Sequence, residues 1–170
     1  MRYQVPLIAQ PTPSSCWAAS IAMVLSWGDS KRNYTPQDVN SQVPDKTLFT
    51  QGASTRELLE IYPLFGMEAE PPVNYPEEKF LALLQQYGQL FIATYDFASP
   101  HAVVVTGLDP DPNPSKATVY FNNPCDGLVQ PYKAVEENLS YTEFMDNMEM
   151  LVRQTAREQR VAFIAHLKAK

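Results

Sequence analysis

A cysteine stands at the foot of an apolar stretch, six residues after a glutamine, in Gln10-Pro11-Thr12-Pro13-Ser14-Ser15-Cys16-Trp17-Ala18-Ala19-Ser20. A thiol is a good nucleophile only as thiolate, and a helix N-terminus lowers its pKa by offering unpaired N–H groups and the positive end of the dipole. The Gln10 amide just upstream could help to hold a developing oxyanion. A base must reach that sulfur, and the chain has only two histidines. His101 follows Ser99-Pro100 and begins the run Ala102-Val103-Val104-Val105-Thr106-Gly107, whose β-branched residues predict a buried strand. Such a strand fixes the ring, as a general base requires. A third group must then accept the Nδ1 proton and hold the tautomer. The next strand, Thr118 to Asn123, runs back antiparallel after a proline-rich turn and returns an amide, Asn122 or Asn123, toward His101. Successive strand residues face opposite sides, so only one of the two can meet the ring.

The elements that must position these residues are punctuated clearly. A helix is predicted from Cys16 to Trp27, capped by Ser14 or Ser15 and stopped by Gly28, with Trp17, Ile21, Val24 and Leu25 forming one buried face. Thr35-Pro36-Gln37-Asp38 and Ser54-Thr55-Arg56-Glu57 read as helix starts, the second helix ending at Pro63 and Gly66. A further helix spans Pro76 to Tyr87, stopped by Gly88. Strands are predicted over Leu90–Tyr95, Ala102–Leu108 and Thr118–Phe121. A polar helix over Thr142–Arg157, with acids running back to Glu136, is followed by a closing strand over Val161–Leu167. Helices first and then mostly sequential strands make an α+β chain with an antiparallel sheet.

Composition narrows the function classes. At 170 residues the chain is long enough for one domain with a substantial core. Its net charge of −6 and lack of a basic stripe argue against nucleic acid as a partner. No signal-peptide run and no stretch of about 20 apolar residues is visible, which predicts a cytoplasmic protein, or one delivered into a target cell, without a membrane partner. Two cysteines are too few for a disulfide framework, and a bonded Cys16 could not act as a nucleophile. Two cysteines and two histidines this far apart lack zinc-ligand spacing, so neither metal nor cofactor is expected. Cys125, in a tight loop, is expected to be inert, and His166 to be a structural or surface residue.

The glutamine, the six-residue step to Cys-Trp-Ala, the later His-Ala-Val-Val-Val-Thr-Gly and the Asn-Asn-Pro after the next strand resemble the papain-like cysteine peptidase superfamily. The small bacterial branches are the nearest in pattern: the peptidase domains of bacteriocin-exporting transporters, and the cysteine protease effectors that plant pathogens inject. The likeness spans about residues 4 to 125. It implies one papain-like domain over residues 1–170, with an N-terminal helical part packed on an antiparallel sheet. It also implies Cys16 as nucleophile, His101 as base and then acid, and Gln10 as the oxyanion-hole side chain beside the Cys16 N–H. Asn123, directly before Pro124, matches the third position, with Asn122 as the fallback. The small bacterial branch usually has aspartate there, whereas papain has asparagine.

The expected function is therefore cleavage of a specific protein or peptide substrate through a Cys16 thioester, as in a bacterial effector or toxin. The same Cys-His-Asn set would also serve an acyltransferase, deamidase or transamidase, and a non-catalytic binding module could keep the fold. The loops Asp45–Ala53 and Ser99–His101 are the expected cleft walls. The acidic helix expected around Glu136–Met150, with Phe144, Met145, Met148 and Met150 among its acids, is the candidate surface for an inhibitor or immunity protein.

Overall fold

The structure, a computed structural model, describes residues 1–96, 99–127, 129–155 and 163–168. In chain order the elements are α1 (Cys16–Gly28), α2 (Pro36–Gln42), α3 (Leu48–Gln51), α4 (Thr55–Ile61) with a 3-10 turn (Tyr62–Phe65), β1 (Met67–Ala69), α5 (Glu77–Tyr87), β2 (Leu90–Asp96), β3 (Ser99–Asp109), β4 (Thr118–Asn123), β5 (Val135–Ser140), α6 (Tyr141–Thr155) and β6 (Ile164–Leu167). The strands form one antiparallel sheet in the order β1-β6-β2-β3-β4-β5. The α+β expectation holds. The closing strand inserts between β1 and β2 instead of extending the sequential row.

Helix starts follow local hydrogen-bond chemistry. Thr35 with Asp38, and Ser54 with Glu57, each form a reciprocal capping box. A third box begins α6, where the Glu143 N–H donates to Ser140 Oγ and Ser140 N–H to Glu143 Oε2. That box corrects the acidic helix read from Glu136. Glu136 and Glu137 lie on β5, an edge strand, and the helix starts only at Tyr141. Phe144 and Met148 of α6 are buried in the core, whereas Met150 is exposed. The last two residues of the predicted helix, 156–157, and the first two of the closing strand, 161–162, lie outside the described residues.

Helix α1 departs from a one-faced amphipathic helix. Ala18, Ala19, Ile21, Ala22, Met23 and Val24 are all fully buried. The helix is wedged between α2 and β3, and its alanines allow close approach on the sides where a surface helix would carry polar residues. Ser20 is buried there and its hydroxyl donates to the Ala102 carbonyl at 3.0 Å. This bond ties the turn above Cys16 to the strand residue next to His101.

The leading segment is laid along the sheet by backbone contacts. The Tyr3 N–H donates to the Thr106 carbonyl at 2.7 Å, and the Asn122 side-chain amide donates to the Val5 carbonyl at 3.0 Å. Gly107 is required at this crossing, since a Cβ there would run into the Met1 carbonyl and come within 2.9 Å of the Arg2 Cα. At the far edge His166 is fully buried, stacked on Tyr87 with ring centroids 3.5 Å apart, and its Nε2 meets Glu70 Oε1 at 2.9 Å. It is a structural residue of the β6–β1 edge and not a surface one.

Replacing Ser20 with alanine would leave the Ala102 carbonyl without this donor in a dry interface. Urea unfolding of Ser20→Ala is expected to show a loss of about 1–3 kcal/mol, larger than that of an exposed control such as Ser41→Ala.

Candidate active site

Cys16 is the first residue of α1, where helix N–H groups have no intrahelical acceptor. The predicted serine cap is absent. Ser15 Oγ instead closes a loop on Thr12, accepting from its N–H at 3.0 Å and donating to its carbonyl at 3.2 Å. The Ala18 and Ala19 N–H groups donate to the Ser15 carbonyl, and the Trp17 N–H is one of the sulfur's hydrogen-bond donors. Cys16 is half-buried and lines a cleft together with His101. Burial pushes the thiol up. The hydrogen bond and charge of His101, with the N–H groups of Ala102 and Trp17, outweigh it and hold Cys16 below the ordinary thiol value.

His101 lies on β3, opposite Thr94 of β2. Its burial lowers the imidazole, but the hydrogen bond and charge of Cys16, the bond to Asn123 and the charge of Asp96 together raise it above its ordinary value. The two partners shift in opposite directions, as a thiolate–imidazolium pair requires. His101 Nε2–H donates to Asn123 Oδ1 at 2.8 Å. This corrects the expected roles of the ring nitrogens: the amide takes Nε2, which leaves Nδ1 for the sulfur.

The register explains why Asn123 and not Asn122 meets the ring. Asn122 pairs with Val104, so Asn123 falls on the face of β3 that carries Val103 and His101. Asn122 faces the other way and holds Val5. A bulge between Val105 and Gly107 shifts the register farther along the same strand pair.

Gln10 is brought to the foot of α1 by the bond of its own N–H to the Pro124 carbonyl at 2.9 Å. Its side-chain nitrogen donates to the carbonyls of Thr12 (3.0 Å) and Pro13 (3.2 Å), and its Oε1 is buried without a hydrogen-bond partner. The cleft of about 640 Å³ beside Cys16 is lined on one side by Pro13, Ser14, Leu48, Gln51, Gly52 and Ala53 and on the other by Ser99, Pro100 and His101. Both expected wall loops are there, one of them partly helical as α3. Gly52 turns that wall with φ +91°, and Trp17 anchors it by donating from Nε1 to the Leu48 carbonyl at 3.2 Å. A second groove of about 690 Å³, between residues 71–75 and α6, contains neither Cys16 nor His101.

Both cysteines are free. Cys125 is buried, its thiol is pushed up by that burial, and its N–H donates to Asn123 Oδ1 at 3.1 Å. No group of three or more His, Cys, Asp or Glu that could hold a metal occurs among the described residues. Sequence pattern does not single out Ser20, Asp96 or Glu137, although all three touch the Cys16, His101 and Asn123 cluster or its immediate supports.

The sheet with a buried helix set against it, carrying a cysteine at the helix start and a histidine on the neighbouring strand, is the arrangement of papain-like cysteine proteases. The family described as papain-like cysteine protease AvrRpt2 matches residues 1–149, and the chain belongs to it. It is therefore a hydrolase of that class. A comparison with curated proteins gave no match.

Asn123→Ala is expected to slow alkylation of Cys16 near neutral pH by about tenfold, the equivalent of one pKa unit. Asn122→Ala should leave that rate within twofold while lowering thermal stability, since it frees only the Val5 carbonyl. Equal slowing in both variants would show that the amide next to the ring has no special part in thiol activation.

Proposed function

We propose that the chain cuts a specific protein substrate through a Cys16 thioester. The observation that carries this reading is the hydrogen-bonded Cys16–His101 pair, with its opposed pKa shifts, open to a cleft on the helix N-terminus. The sulfur attacks the scissile carbonyl carbon, forming the C–S bond and a tetrahedral oxyanion. His101 Nδ1–H then protonates the leaving amine as the C–N bond breaks. A water gives its proton to the now neutral Nδ1 and attacks the thioester, and the C–S bond breaks to return the thiolate. Asn123 orients the ring throughout. Neither metal nor cofactor enters these steps, and residues 1–170 act as one domain.

The oxyanion would be held by the Cys16 N–H and, in our reading, by Gln10. Its Nε2 now bonds two loop carbonyls. To serve the oxyanion it must turn one proton from them into the cleft. Gln10→Ala is expected to lower kcat by about 10²–10³-fold, as for loss of one oxyanion donor, with a minor change in thermal stability. A stability loss without a kcat loss would assign Gln10 to loop structure alone.

The resemblance to injected effector proteases supports action inside a target cell, on a protein partner and not on nucleic acid or a lipid surface. No helix among the described residues is long and apolar enough to cross a membrane. An inhibitor or immunity protein on α6 would meet its acids and Met150, but not Phe144 or Met148, which are buried. Sequencing of newly formed N-termini in a lysate, with the chain and with Cys16→Ala, tests the reading. A small set of Cys16-dependent cuts is expected. Cys16-dependent incorporation of a labelled primary amine without new N-termini would mean acyl transfer to amines instead.

A further inference from the structure

The Asn123 side chain is fully buried and every hydrogen-bonding position of its amide is occupied. Oδ1 accepts from His101 Nε2–H at 2.8 Å and from the Cys125 N–H at 3.1 Å. Nδ2 donates to Asp96 Oδ2 at 3.4 Å and to Glu137 Oε2 at 3.3 Å. A primary amide has two donors and two acceptor sites, so none is left over.

That arrangement has a direction. Turned over by 180°, the amide would set its NH₂ against two N–H donors and its oxygen against two carboxylates. Both ends would repel. With the carboxylates present, only one orientation is favourable, and it is the one that places an acceptor on His101 Nε2–H. Without them the amide has no such preference on its far side, and an inverted Asn123 would present a donor to the imidazolium it should support.

The fold delivers both carboxylates from separate strands. Asp96 lies two residues beyond Thr94, the partner of His101, and so shares its face. Glu137 pairs with Phe121, two residues before Asn123, and shares that same face of the sheet. Asp96 also adds a negative charge in range of the His101 ring. On the side away from Cys16, the Asp96 charge thus acts on the imidazole from beyond an intervening amide, whereas an aspartate in the third position would touch the ring directly.

We propose that Asp96 and Glu137 are positioning residues for proteolysis: they lock the Asn123 amide with its oxygen toward His101 and thereby sustain the thiolate–imidazolium pair of the free enzyme. This rests on the Cys16–His101–Asn123 reading above.

The test is the pH dependence of Cys16 alkylation by iodoacetamide, on the full chain, with the adduct located by mass spectrometry and thermal melting as the control for folding. Asp96→Asn, Glu137→Gln and the double variant are compared in the native background and in Asn123→Ala. The expected result is an acid limb displaced upward in the double variant, slowing alkylation near pH 6 by about tenfold, or one pKa unit. Each single variant should fall between. In the Asn123→Ala background the same substitutions should change the rate by less than about twofold, because the amide that transmits their effect is gone. An unaltered profile in a folded double variant overturns the proposal. An equal loss with and without Asn123 also overturns it, since the carboxylates would then act on His101 directly. If His101→Ala leaves Cys16 reactivity unaltered, the underlying triad reading fails, and this proposal falls with it.

Discussion

The proposed thiolate–imidazolium pair of Cys16 and His101, held partly out of water, is the constraint on which the rest of this account depends. A thiolate and an imidazolium packed against a helix end would each be costly alone. Together each would have the other, with the Ala102 and Trp17 N–H groups on the sulfur and an acceptor on the far ring nitrogen. The two residues lie far apart in sequence, on a helix and on a strand, so the fold must bring two rigid elements together to within hydrogen-bond tolerance.

Several otherwise unremarkable residues make that docking rigid. Ser20 joins α1 to the Ala102 carbonyl, and the N–H of that same Ala102 bonds the sulfur. Trp17 and Thr12 fasten the cleft wall, donating to the carbonyls of Leu48 and Phe49. The Ser15 hydroxyl closes the loop below the helix instead of capping it, and the Trp17 N–H donates to the Cys16 sulfur. A side-chain cap, common on helices, is thus absent at the end where the proposed nucleophile lies.

Much of this was legible beforehand. Cys16, His101 and the amide before Pro124 carry side-chain types whose chemistry is specific, and the punctuation around them marks helix starts and strands. What stayed illegible depended on tertiary contacts. The choice between Asn122 and Asn123 rests on strand register, which a single β-bulge can move. The swap of the ring nitrogens needed the actual side-chain geometry. Glu137 was hidden because Glu136 and Glu137 favour helix by propensity and lie on an edge strand only through pairing with β4. The Ser140-to-Glu143 capping pattern was in the sequence and would have placed the true helix start. Gln10 was visible, but the bonds of its amide to loop carbonyls were not.

The central claim is that Cys16 is ionised by His101 in the free protein. The most direct measurement is the rate of limiting alkylation at pH 6, resolved between Cys16 and Cys125 by mass spectrometry, in the native chain and in His101→Ala. The account predicts fast labelling at Cys16 and slow labelling at Cys125, whose thiol burial pushes up. In His101→Ala the Cys16 rate should fall by roughly 100-fold, toward that of an ordinary thiol. Equal rates at the two cysteines, unaffected by His101, would contradict it.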